Sequence, residues 1–235
     1  WTPFFHTWRM KGTYPKILKD EKYGEEATKI YNEAQEILDE LINGDYLEPK
    51  AVLGFYEAYC TGDDVYLPGV DKTFNFLRAQ KKMKESTSAN TSLADFIAPK
   101  DSGKKDYLGF FTVTAGDKAD VLAKKYEDEH DDYKAIMVKA LSDRIAEAYA
   151  EFMHEKVRKE LWGYQPEESL SNVELIKEQY KGIRPAPGYP ACPDYSEKAK
   201  IFELLNVEAE IGVSLTENFA MNPPSSVSGL SLIHI

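Results

Sequence analysis

Between Arg184 and Pro193 the chain carries four prolines in ten residues, Arg184-Pro185-Ala186-Pro187-Gly188-Tyr189-Pro190-Ala191-Cys192-Pro193. Each proline fixes φ and removes a backbone donor, so this stretch is neither a helix nor a central strand. Any fold the chain adopts must carry a stiff connector here, one that loses little entropy on ordering. Gly188 lets the backbone approach a ligand closely. Arg184 offers a planar fork to a carboxylate or phosphate, and Tyr189 a flat face to a base or a cation. On their own, these residues describe either a rigid loop gripping an anionic, aromatic-containing small molecule or a proline-rich surface loop wrapped around a helix end.

The rest of the chain mixes helical and strand patterns without regular alternation. Ala27, Ile30, Tyr31, Ala34, Ile37, Leu38 and Leu41 recur at three- and four-residue steps, which predicts a helix over Glu25 to Leu41, ended by Asn43-Gly44. Ala51 to Tyr59 and Tyr107 to Thr114 read as strands. Val65 to Leu67 would return as a hairpin partner across Thr61 to Asp64, and Thr73 to Leu77 could add another strand. Ser86 to Ser92 reads as polar loop. Asp131 to Trp162 predicts a long amphipathic helix with Ile136, Ala140, Leu141, Ile145, Ala148, Phe152 and Val157 inward and Arg144, Glu147, Glu151, Glu155 and Arg158 outward. Ser171-Asn172-Val173-Glu174 is a capping box that should start a short helix reaching about Lys181. Asp194 to Glu197 repeats that pattern before a helix over Ala199 to Leu205. Val213 to Leu215 and Val227 to Ile235 alternate as strands do. The fold class expected is α+β with an antiparallel sheet.

Composition removes several functions. The 235 residues hold 29 Lys+Arg against 40 Asp+Glu, a formal charge of −11, which disfavours nucleic acid and anionic membranes as partners. No apolar run reaches the length of a membrane span. Trp1-Thr2-Pro3-Phe4-Phe5 lacks the basic region and cleavage site of a signal peptide, and its aromatics read as the middle of a longer chain. Two cysteines far apart, Cys60 and Cys192, make no disulfide framework, and four scattered histidines (His6, His130, His154, His234) make no metal site. The default compartment is the reducing cytoplasm. Glu127 to Asp132 is acidic but matches no calcium loop and reads as a solvated helix boundary. Arg78 to Lys84 is a basic cluster, either a solvated face or a face for an acidic electron donor. Trp8 and Trp162 read as packing residues.

Gly182-Ile183-Arg184-Pro185-Ala186-Pro187-Gly188-Tyr189-Pro190-Ala191-Cys192-Pro193-Asp194 resembles the signature of the reactivation domain of cobalamin-dependent methionine synthase. The resemblance continues in the same order through Trp1 to Phe5, Leu93 to Lys100, His130 to Tyr133, Ile136 to Leu141 and Leu215 to Met221. It implies a single C-shaped α+β domain with a bent antiparallel sheet flanked by helices, spanning 1–235. That domain binds S-adenosylmethionine. In the full enzyme, other domains bind zinc, methyltetrahydrofolate and cobalamin. When the cobalt is oxidised, the domain presents S-adenosylmethionine to it while a flavodoxin-type donor supplies one electron, restoring methylcobalamin. The cobalamin-binding domain and the electron donor are the implied partners, methionine biosynthesis the implied pathway.

Carried over residue by residue, the resemblance assigns Arg184 to the methionyl carboxylate, Ala186 and Gly188 to backbone contacts, and Tyr189 to the motif's aromatic. Glu147 would meet the ammonium or sulfonium charge, and Glu178 the ribose or amine. Asp143, on the polar side of the long helix, could face the cobalamin domain. Methyl transfer from a sulfonium moves no proton, so no catalytic acid–base pair is expected and none is visible. The sequence departs from the family pattern where an Asp would precede Trp1, where Tyr195 replaces a His, and over 230–235, which reads as an atypical or foreign tail. Two other readings stand beside this one: a non-catalytic module that docks on cobalamin and flavodoxin partners, and a separately encoded reactivating protein.

Overall fold

The computed structural model describes residues 1–80 and 90–233. Helices α1 (Thr2–Thr7) and α2 (Gly24–Asn43) come first. Strands β1 (Lys50–Thr61), β2 (Asp64–Leu67), β3 (Lys72–Asn75) and β4 (Asp106–Thr114) follow. Next come α3 (Lys118–Asp128) and α4 (Asp132–Lys156), which runs on into one π-helical segment, Val157–Leu161. After α5 (Asn172–Ile176), α6 (Glu197–Leu205) and α7 (Val207–Ile211), the chain ends through β5 (Ser214–Leu215), β6 (Met221–Asn222) and β7 (Ser226–Ser231). The main sheet has the order β3-β2-β1-β4-β7 and is antiparallel and curled. The fold is α+β, as the pattern predicts. No helix among the described residues is long and apolar enough to cross a membrane.

The chain divides into two units. The first holds 1–50, 113–149 and 221–227, the second 51–112, 150–220 and 228–235. In the first, the predicted stripe of α2 is buried through Ala27, Ile30, Ala34, Ile37 and Leu41. It shares one core with Phe4, Phe5, Leu122, Ala123, Met137, Val138 and Leu141. Trp8 packs against this core, its ring tilted 5.0 Å from Tyr133 and edge-on to Phe4 at 6.4 Å. The acidic run is a helix boundary, as read: Lys139 donates to Glu127 at 2.8 Å, and Asp131 Oδ1 accepts the Lys134 amide at 3.0 Å in the first turn of α4.

In the second unit the hairpin closes as predicted, with Tyr59 opposite Tyr66 and Thr61 opposite Asp64. Phe74, Phe76 and Phe110 stack in its core, Phe74 lying 4.6 Å from Phe110. Arg78 is not a free cation for a partner. It forks onto Asp95 with two 2.8 Å bonds and reaches Asp63 at 2.8 Å. Lys81, Lys82 and Lys84 of that cluster, Ser86 to Ala89 of the expected loop, and His234 and Ile235 lie outside the described residues. Trp162 ends the π segment against Phe55, at 4.9 Å.

Four expectations are corrected. The inward face of α4 is Ala135, Met137, Val138, Leu141, Ala146 and Ala150, while Ile136 is 51% exposed and Phe152 50% exposed. Apolar residues lie on more than one side of this helix, so spacing alone does not select the face, and small alanines allow the close approach that does. Arg158, placed outward by spacing, is fully buried because Glu168 takes its fork in two 2.6 Å bonds. The helix at Ser171 has the capping box but stops at Ile176, and Glu178 turns left-handed at φ 53°. At Asp194 no box forms: Asp194 Oδ1 accepts the Ser196 amide at 2.8 Å, and Glu197 turns inward to Lys200 at 2.8 Å.

Candidate functional site

The proline-rich segment lies along the last strand, where a proline is tolerated. Ile183 and Leu232 exchange both backbone bonds, at 2.9 and 3.1 Å, and Leu230 donates to the Pro185 carbonyl at 2.8 Å. Gly229 permits this approach, since a Cβ there would meet the Pro185 oxygen at 2.8 Å. Beyond Pro187 the chain closes a tight loop: Gly188 donates to the Cys192 carbonyl at 2.7 Å, and Cys192 to the Tyr189 carbonyl at 2.9 Å. Burial pushes the Cys192 thiol up to about 12, so it stays a neutral packing group. Tyr189 stands 62% exposed on the rim.

Gly188 sits at φ +100°, and a Cβ there would come within 2.2 Å of the Tyr195 ring. Gly188→Ala is therefore expected to lower stability by about 1–3 kcal/mol through backbone strain and overlap. Adding Tyr195→Ala should recover only the overlap. Urea denaturation of both variants checks this, and equal stability of Gly188→Ala and the parent would refute it.

Arg184 projects from this loop onto a cavity of about 340 Å³ lined also by Glu178, Tyr180, Gly182, Ile183, Pro185 and Ala191. Its side chain is only 16% exposed, its guanidinium carbon lies 6.0 Å from the Phe111 ring, and its Nη2 donates to Glu151 Oε1. Its Nε is buried and has no partner among the described residues. A guanidinium desolvated on one side and short of one acceptor is suited to an incoming carboxylate.

Behind Tyr180 lies a second layer. The Arg158 guanidinium stacks 4.2 Å from the Tyr180 ring, and His154 meets the same ring edge-on at 5.0 Å. Arg158 Nη1 donates to His154 Nδ1 at 2.9 Å, which places the imidazole proton on Nε2. Burial, with the Arg158 and Arg184 charges, pushes the His154 pKa down to about 3. The unfolded chain then binds a proton that the folded chain does not, so stability rises with pH across this window. Stability should fall by up to about 1.4 kcal/mol per pH unit as pH drops from roughly 6.5 to about 3. His154→Asn, which keeps an acceptor for Arg158, should flatten this slope in pH-dependent urea titrations; an unchanged slope would assign it to other groups.

Of the residues predicted for the site, Arg184 and Glu178 meet at one cavity. Ala186, Gly188 and Tyr189 continue the same loop beyond its lining. Glu147 is half-buried on α4 in the first unit and is not among the lining residues. Asp143, also in the first unit, accepts from Ser225 at 3.0 Å. Sequence reasoning missed Glu151, Phe111 and Tyr180. Glu151 follows Glu147 by one helical turn, the only signal that could have drawn attention to it.

The family model described as "Vitamin B12 dependent methionine synthase, activation domain" matches residues 1–235. A solved structure described as the crystal structure of the MetH reactivation domain bound to AdoHcy is 52% identical and superposes with a TM-score of 0.94. The match covers all of this chain and 73% of that one. Matched along its whole length in both sequence and fold, the chain belongs to the activation domains of vitamin B12-dependent methionine synthases.

Proposed function

We infer that this chain binds S-adenosylmethionine at the Arg184–Tyr189 loop and presents its methyl group to cobalamin held by another domain of the same enzyme. The observation that carries this is Arg184, largely buried at the cavity with an Nε unpartnered among the described residues, in a chain 52% identical to one solved with AdoHcy. When bound, the sulfonium supplies an electrophilic methyl group and the neighbouring domain's cobalamin its acceptor, kept competent by a flavodoxin-type one-electron donor. The chain's own residues bind and orient. Arg184 fixes the carboxylate end, Glu178 at the cavity offers an acceptor to an ammonium or a ribose hydroxyl, and the hydrogen-bonded loop holds Ala186, Gly188 and Tyr189 in one arrangement. Holding the donor in line is the whole task, because no proton moves in the transfer.

The zinc and folate chemistry of methionine formation falls to other domains, so this chain alone is not expected to make methionine. Calorimetric titration with S-adenosylmethionine tests the binding. Mixed with a cobalamin-binding domain and a one-electron reductant, the chain should also make loss of the cob(II)alamin absorption depend on S-adenosylmethionine. Absence of binding heat and of that dependence would reject the reading.

A further inference from the structure

We propose that Glu151 is an internal competitor for the ligand's carboxylate at Arg184, setting how tightly a carboxylate-bearing ligand is held. This rests on the S-adenosylmethionine reading and adds a residue to it. Nε and Nη2 form one edge of a guanidinium, and a carboxylate placed on that edge accepts two parallel bonds. Glu151 uses half of it. One carboxylate oxygen takes Nη2, while the adjacent Nε is buried without an acceptor among the described residues.

The two partners also differ in setting. The backbone beside Arg184 is fixed by the Pro185 bond to Leu230, and its side chain is 16% exposed near the Phe111 ring, whereas Glu151 is 50% exposed on the surface of α4. Glu151 is therefore the partner free to leave. A free carboxylate that takes both Nε and Nη2 satisfies the orphaned donor and returns Glu151 to water. Ligand binding then exchanges one anion for another on Arg184, and the observed affinity is reduced by the strength of the contact being replaced. A ligand without a carboxylate has no reason to displace Glu151.

Calorimetry on the chain and on Glu151→Gln, with S-adenosylmethionine and with carboxylate-free 5′-methylthioadenosine, separates these cases. Because Glu151 is half open to solvent, its removal should tighten S-adenosylmethionine by about three- to fivefold. Methylthioadenosine should be unaffected, and adding Arg184→Ala should abolish the gain. Unchanged or weakened S-adenosylmethionine binding in Glu151→Gln would overturn the proposal, as would equal tightening of both ligands. Failure of the underlying reading looks different: neither protein would bind S-adenosylmethionine, and the proposal would fall with it.

Discussion

Glu168→Ala is expected to cost the folded chain about 3–5 kcal/mol, because it strands a buried guanidinium with no counter-charge. Arg158 has no exposed surface, and Glu168 supplies both oxygens of its fork at 2.6 Å while its own side chain is 6% exposed. The remaining contacts, the Tyr180 ring and His154 Nδ1, carry no negative charge. The damage lies in the unpaired charge rather than in lost volume. Arg158→Met combined with Glu168→Ala should therefore recover much of the loss. Urea or thermal denaturation of the single and double variants measures this. A single variant within about 1 kcal/mol of the parent would show that water reaches Arg158 freely.

Arg184→Ala should weaken S-adenosylmethionine about 10- to 100-fold, the equivalent of a charge-assisted hydrogen bond at roughly 1.5–3 kcal/mol. The surrounding loop does not depend on the guanidinium. Its backbone bonds run between Ile183 and Leu232, Leu230 and Pro185, and Gly188 and Cys192. Circular dichroism should accordingly be unchanged. An unaltered dissociation constant would remove Arg184 from the binding site.

How far these residues were readable from sequence depends on what each one answers to. The α2 stripe, the β1–β2 hairpin and the capping box at Ser171 are local, and spacing or turn chemistry alone identifies them. The proline run excludes helix and central strand, and it does lie along an outer strand, bridged to Leu232. Spacing alone does not find the face of α4, because Ile136 and Phe152 satisfy the same three-and-four spacing as the residues that are buried. Which side goes inward is settled by packing partners remote in sequence. Arg158 escapes spacing for a related reason: a lone arginine among helix charges looks solvated until Glu168, ten residues on, folds back to cover it. The pairing of Glu151 gives no local signal because its partner lies 33 residues away, across a loop whose path no local pattern gives.

The backbone bonds tying Ile183 and Pro185 to Leu232 and Leu230 mean that the Arg184–Tyr189 loop has no independent hinge. To swing out it must peel the chain's last strand away from it, taking the buried Leu230 and Leu232 side chains into water. Such an opening belongs with sub-global unfolding rather than with the fluctuations of a surface loop. The methyl donor proposed for this loop would therefore meet a receptor already in shape. Little of its binding energy is diverted to ordering the protein, and more remains to fix the donor's orientation.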